Sequence, residues 1–425
     1  MDITIQPGTL TGEVLVPSSK SILHRGLICA ALAPGKSVIH RLYLSRDIQA
    51  TMDCLTALGA SFTRQGDDVL VEGISSPVKS AALPCGESGS TLRFLIPVAA
   101  ALGVDASFTG QGRLVTRPLT AYDGAFAGKG VHWHNTGTLP CSVSGKLESG
   151  DYEIDGSQSS QFISGLLFAL PLLKGDSTLT VTGKFQSQSY VGITLGVLKE
   201  FGIAVTQTAP NRYVIPGGQV YRAGEFTAES DYSQSAFFLC AAALGGNLTL
   251  RSFSPDSLQG DQAILSILEQ AGFPVEFQGD EIQLKPGKLK PFTVYAGDVP
   301  DLVPVLCVLA SGCVGESRIY QVERLKIKES DRIASTMALV NGLGGAMEYL
   351  PQEDCIRITG KGYLEGGGVI PCENDHRIAM SGGVAAAICQ TPFTLLGAEC
   401  VAKSYPTFWE DYQRLGGKIH VQSME

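Results

Sequence analysis

A set of cations in this chain stands beside small polar residues where apolar segments begin. They are Lys20 and Arg25 after Ser18-Ser19, Arg93 after Gly89-Ser90-Thr91, Arg117, Lys328 and Arg332, Arg377, and Lys403. Ser159-Ser160-Gln161, Ser187 and Ser189 add hydroxyl and amide donors of the same kind. The start of a helix presents unpaired N–H groups and the positive end of the helix dipole, so it already favours anions. Lys, Arg and hydroxyls placed there make charge-assisted seats for phosphate or carboxylate. At any one position the plainer reading is an N-cap residue beside a solvated cation. The recurrence, in a chain of net charge −9, points instead to a small anionic substrate. The same acidic balance argues against nucleic acid and anionic membrane as partners.

The elements that carry these residues repeat. A polar turn, an Ala- and Leu-rich apolar helix and a closing small residue recur six times, anchored at Ser18, Ser88, Ser159, Asp231, Asp301 and Asp375, with steps of 70, 71, 72, 70 and 74 residues. A second anchor, the Gly that ends an amphipathic stretch, falls at Gly59, Gly130, Gly202, Gly272, Gly345 and Gly417. This period is longer than that of the common solenoid units, which run to about 50 residues, and leaves room for several elements per copy. In the first copy Glu13–Pro17 reads as a strand and Ile22–Leu32 as an apolar helix. Ser37–Leu42 reads as a strand, Asp47–Leu58 as a capped second helix, and a strand pair turns around Gly66–Asp68. Each unit is thus β-α-β-α-β-β, and the Gly after its second helix fits a left-handed C-cap. A chain of 425 residues divides more naturally into two globules of three repeats than into one or six, with a seam near Gly217–Glu229.

Composition narrows the class further. Apolar content of 44% supports sizeable cores, and no stretch is low in complexity. The N-terminal residues read as a strand, without a basic or apolar signal region, and no apolar run reaches the ~18 residues of a membrane span. Eleven cysteines lie scattered, mostly in apolar surroundings and without a Cys-x-x-Cys pair, as expected of buried reduced thiols in a cytoplasmic protein. The histidines are equally scattered, and no metal site is indicated. Gly35-Lys36-Ser37 imitates the end of a phosphate-binding loop, but Ala30 stands where its first Gly is needed. Gly110-Gln111-Gly112 lacks the third Gly of a dinucleotide fingerprint.

Val16-Pro-Ser-Ser-Lys-Ser21 with Arg25 resembles the opening signature of the 5-enolpyruvylshikimate-3-phosphate synthases. The likeness continues through Glu87-Ser-Gly-Ser-Thr-Leu-Arg93, Arg117-Pro118, Asp155-Gly-Ser-Gln-Ser-Ser-Gln-Phe162, Ser187-Gln-Ser-Tyr190, Pro300-Asp301, Lys328-Glu-Ser-Asp-Arg332, Asn374-Asp-His-Arg377 and Ala402-Lys-Ser404. The resemblance implies a two-domain, inside-out α/β (α+β) barrel, three β-α-β-α-β-β units per domain, with the active site in the cleft between them. It puts residues 1–18 with 229–425 in one globule and 19–228 in the other. It also implies transfer of the enolpyruvyl group of phosphoenolpyruvate to the 5-hydroxyl of shikimate 3-phosphate, by addition and elimination, with no cofactor and no metal.

Carried over residue by residue, the resemblance places Lys20 between both substrates. Ser21, Arg25, Ser159, Ser160, Gln161, Ser187, Asp301 and Lys328 would hold shikimate 3-phosphate. Gly89, Arg117, Gln161, Arg332, Arg377 and Lys403 would hold phosphoenolpyruvate. Asp301 is the expected base for the attacking hydroxyl, its alternative role being an N-cap. Glu329 is either the acid for the methylene carbon, with Lys20 and Lys403 as competitors, or merely a partner of Lys328 or Arg332. Glu87, where many members of the family have Asn, and Arg324 depart from the pattern, and His24 and His376 carry no assigned role. UDP-N-acetylglucosamine 1-carboxyvinyltransferases share the fold, but they have Lys-Asn at Lys20-Ser21 and a Cys within the stretch matching Thr109–Thr116. A catalytically silent homologue would be expected to have lost charged site residues that are all present here. A monomer is expected, closing over its anionic substrates.

Overall fold

The computed structural model describes residues 1–185, 187–285 and 287–422. Residues 1–17 and 229–425 form one compact unit, and residues 18–228 form the other.

Each repeat supplies two helices, the first buried and apolar. In the unit of residues 18–228 they are α1 (Lys20–Leu32), α2 (Arg46–Ala57), α3 (Gly89–Leu102), α4 (Ala121–Phe126), α5 (Ser160–Ala169) and α6 (Gln188–Glu200). In the other unit they are α7 (Tyr232–Ala243), α8 (Ile264–Gln270), α9 (Val303–Ser311), α10 (Arg332–Gly342), α11 (His376–Ala385) and α12 (Phe408–Arg414). α7, α9 and α11 are buried over their whole length. A helix apolar on every side belongs inside a domain rather than on its surface. Each buried Leu, Val or Phe there contributes roughly 1.5–3 kcal/mol. The sheets therefore lie outside and the helices within, the reverse of the usual layered arrangement.

Six four-stranded sheets surround these helices. In the second repeat Ser80–Pro84 runs parallel to Asp105–Thr109 across α3, and the antiparallel strands Cys141–Gly145 and Val131–His134 complete the sheet. The first and fourth repeats exchange their leading strands. Thr11–Leu15 pairs in parallel with Asn247–Arg251, while Glu225–Thr227 pairs with Lys36–His40. The last sheet is completed by Asp2–Ile5, antiparallel to both Phe393–Leu396 and Ile419–Gln422.

Local geometry corrects several anchors. α1 is entered through Ser19, within the polar turn that Ser18 opens, and the Ser19 side chain makes no capping bond. Left-handed glycines follow the second helices at Gly59, Gly202 and Gly272, but in the last two repeats they are Gly344 and Gly416, one residue before the expected positions. There Gly344 and Gly416 donate back to Asn341 and Gln413, closing the helix a residue early. Ser88, Ser159, Asp231 and Asp375 cap their helices through the side chain. Asp301 does not: the residue before α9 is Leu302, and the Asp301 carboxylate points elsewhere.

Candidate active site

In the unit of residues 229–425 with 1–17, the starts of α9, α10 and α11 meet in one ionic cluster. Arg332, the first residue of α10, is 1% exposed and ringed by carboxylates. Its Nε donates to Asp375 Oδ2 at 2.8 Å, one terminal nitrogen to Asp301 Oδ1 at 2.6 Å and the other to Glu329 Oε2 at 2.6 Å. Arg377 on α11 donates to Asp301 Oδ2 at 2.9 Å and to the Asp301 carbonyl at 3.2 Å. Lys328 Nζ stands 3.9 Å from Asp301 Oδ1. Lys403, buried at the end of the 3-10 turn Ala398–Lys403, donates to the Asn374 carbonyl at 2.6 Å. Three cations (Lys328, Arg332, Arg377) thus meet three carboxylates (Asp301, Glu329, Asp375), with Arg324 close enough to act on Lys328.

The electrostatics follow from that census. Burial works to raise the Asp301 carboxyl, but Arg377, Lys328 and Arg332 outweigh it and hold the group well below the usual carboxylate range. Burial pushes the Lys328 ammonium down to about 8, against the pull of Asp301 and with Arg324 and Arg332 adding to the push. Burial also opposes the charge on Arg332, yet Asp375, Glu329 and Asp301 raise its proton affinity above that of an ordinary guanidinium. Arg377 keeps a buried Nε with no hydrogen-bond partner among the described residues, a donor left over for an incoming acceptor.

The unit of residues 18–228 gathers a second set. Gly89, Arg93, Arg117 and Gln161 converge. A Cβ on Gly89 would lie 2.7 Å from an Arg93 terminal nitrogen, 2.9 Å from one of Arg117 and 3.3 Å from Gln161 Oε1. Arg93 donates to Gln161 Oε1 at 2.8 Å, Gln161 Nε2 donates to Ser90 Oγ at 2.9 Å, and the guanidinium lies over the Phe162 ring. The close approach of α3 and α5 that makes this possible needs Gly165, where a Cβ would meet the Arg93 carbonyl at 2.4 Å. Arg25 is buried and donates to Thr194 Oγ1 at 2.7 Å, the Ser21 carbonyl at 2.6 Å and the Tyr190 carbonyl at 2.9 Å. With no carboxylate among these partners, burial lowers its proton affinity to about 10. Ser187, in a left-handed conformation just before α6, accepts from the Tyr190 amide through its carbonyl, so Ser21, Arg25 and Ser187 share one neighbourhood. Ser159 caps α5 through the Gln161 amide, and Ser160 follows it, buried. Lys20 opens α1, and its Nζ donates to Asp47 Oδ2 at 2.9 Å.

Several residues hold the expected ones in place, though the resemblance gave them no role. Asp47 holds Lys20, Asp375 holds Arg332 while capping α11 through the Arg377 amide at 3.0 Å, and Arg93 holds Gln161. In the sequence Asp375 stands out only as the polar entry of a helix and Asp47 only as the start of one. His24 also gains a place. Its Nδ1 pairs with Thr51 Oγ1 at 2.7 Å, Thr51 with Thr91 Oγ1 at 2.6 Å, and Thr91 donates to Ser88 Oγ at 2.7 Å. Burial, with Lys20 and Arg25 adding, keeps that imidazole neutral, and the chain of hydroxyls ties α1 and α2 to the start of α3. Glu87 lies against Gly112, where a Cβ would fall 2.4 Å from its Oε2. Among the described residues no group of His, Cys, Asp or Glu is arranged to hold a metal ion.

Comparison with known proteins shows the family. A model of the family described as EPSP synthase (3-phosphoshikimate 1-carboxyvinyltransferase) matches residues 5–412. A 3-phosphoshikimate 1-carboxyvinyltransferase of Clostridium kluyveri is 43% identical over 419 residues, 98% of each chain. One from Clostridioides difficile is 37% identical over 434 residues, 99% of each. Among solved structures, EPSP synthase from Acinetobacter baumannii superposes with a TM-score of 0.80 at 27% identity, covering 99% of this chain and 100% of that one. The enolpyruvyl transferase NikO of Streptomyces tendae, at 18% identity and a TM-score of 0.77, shares the fold. With the family matched over nearly the whole chain, and relatives of this identity matched end to end, the chain belongs to the EPSP synthase family.

Proposed function

We propose that this protein transfers the enolpyruvyl group of phosphoenolpyruvate to the 5-hydroxyl of shikimate 3-phosphate and releases phosphate. The observation that carries the reading is the Asp301 cluster: a carboxylate, two buried arginines, a lysine and a second carboxylate, in a chain of this family. Ser21, Arg25, Ser159, Ser160, Gln161, Ser187 and Lys328 bind shikimate 3-phosphate. Arg332, Arg377, Lys403, Gly89, Arg117 and Gln161 bind phosphoenolpyruvate, and Lys20 serves both. Asp301 takes the proton of the 5-hydroxyl as its oxygen attacks C2 of phosphoenolpyruvate, while the methylene carbon gains a proton from Glu329, Lys20 or Lys403. Loss of a proton from the resulting methyl group then expels phosphate and restores the double bond. The cations stabilise the phosphate as it leaves, an electrostatic task that fixed charges perform in place. A cytoplasmic monomer completes the reading. All eleven cysteines are buried and none is in a disulfide, as a reducing compartment requires.

The test is phosphate release from purified protein. Release should require both substrates, and Asp301→Ala should lower kcat by roughly 10²–10⁴-fold, the usual worth of a general base. Release with a UDP-sugar acceptor in place of shikimate 3-phosphate would reassign the reaction.

A further inference from the structure

Asp301 sits where two buried arginines converge. Its two oxygens are shared between Arg332 and Arg377 at 2.6 and 2.9 Å, the paired geometry these residues would offer a ligand. The arginines are 1% and 4% exposed, whereas the Asp301 side chain is 22% exposed, so the carboxylate lies on the open side of the pair. An anion reaching both guanidiniums from solvent therefore meets Asp301 already seated.

We infer that Asp301 is the resident counter-ion of the carboxylate seat, and that docking of the phosphoenolpyruvate carboxylate displaces it from Arg332 and Arg377. The inference rests on the function proposed above. The displacement has a chemical consequence. While bound to two arginines, the Asp301 carboxylate is a poor base. Once a substrate carboxylate neutralises those cations and adds its own negative charge nearby, the proton affinity of Asp301 rises. Lys328, 3.9 Å away, is the cation left beside it. Asp375 and Glu329 still hold Arg332, and the unpartnered Nε of Arg377 is available to the ligand. The proton of the 5-hydroxyl then passes to a carboxylate that becomes basic only in the loaded site. One residue thus keeps the empty arginine pair compensated and supplies the base when substrate arrives.

Calorimetric titration tests this with phosphoenolpyruvate, in the presence of shikimate 3-phosphate lacking its 5-hydroxyl so that no reaction follows. Asp301→Asn, which keeps the shape and removes the charge, should bind phosphoenolpyruvate about tenfold tighter than the unaltered protein. Glu329→Gln removes an equal charge from Arg332 without clearing Arg377 and should tighten binding less. Equal gains in the two variants, or no gain in Asp301→Asn, would overturn the exchange. If Asp301→Asn does not fold, a crystal structure of the unaltered protein with phosphoenolpyruvate decides. Asp301 withdrawn from both arginines supports the inference, and Asp301 still bonded to them ends it. Phosphate release by the unaltered protein, measured alongside, separates a failure of this inference from a failure of the proposed reaction.

Discussion

Lys328 shows how a single side chain links burial to pH response. Burial, with Arg324 and Arg332, brings its ammonium down to about 8 although Asp301 pulls the other way. As pH rises through that value the group loses its charge, and with it the attraction for substrate that the proposed function gives it. The kcat/KM for shikimate 3-phosphate, which reports the free enzyme, should therefore fall on the alkaline side near pH 8. Lys328→Arg should move that fall upward by at least about one unit, since a guanidinium stays charged. An unmoved alkaline limb in a rate profile would assign it to another group. The charged members of this cluster were legible in Lys328-Glu-Ser-Asp-Arg332 and Asn374-Asp-His-Arg377, and so was Asp301. Which carboxylate holds which cation was not. Glu329 turns out to pair with Arg332, and Asp301 serves two arginines rather than a helix end.

Helix starts do the positioning at the next scale. α1, α3 and α5 place Lys20, Gly89 and Gln161 in their first turns, as α10 and α11 place Arg332 and Arg377. Gly89→Ala separates the needs of the element from those of the site. Ala in a helix is worth roughly 0.5–1 kcal/mol over Gly, but its Cβ would press on the tips of Arg93 and Arg117. The variant should melt no lower than the parent in a thermal scan. Its KM for phosphoenolpyruvate should rise about tenfold, an effect of ~1.4 kcal/mol, with the KM for shikimate 3-phosphate nearly unchanged. Equal loss for both substrates would place the clash elsewhere. The apolar helices, and the caps at Ser88, Ser159, Asp231 and Asp375, were readable because period and cap chemistry are local. The one-residue advance to Gly344 and Gly416 was not, since Gly344-Gly345 and Gly416-Gly417 offer two equivalent choices.

Chain crossing governs the whole molecule. Asp2–Ile5 is an inner strand of a sheet otherwise built from residues 369–422, and Thr11–Leu15 edges another. A fragment of residues 229–425 therefore lacks one central and one edge strand, and unpaired backbone there invites misfolding or aggregation. Residues 18–228 carry all three of their sheets and should fold alone. The 229–425 fragment should not, unless residues 1–17 are joined after its C-terminus. Asp2 lies opposite Gln422 in antiparallel register, so a short Gly-rich linker can make that hairpin. Urea titrations followed by circular dichroism would show the difference, and a cooperative transition in the fragment without residues 1–17 would refute it. Six repeats, buried apolar helices and cations at the helix starts were set by the sequence alone, because each depends on spacing and composition within a few turns of chain. The exchange of leading strands between the first and fourth repeats was decided only by tertiary structure. So were the Lys20–Asp47 pair, 27 residues apart, and the Asp301–Arg377 pair, 76 apart. A periodic pattern says which face a side chain occupies. How helices pack, to within a fraction of an ångström, determines the charge it meets.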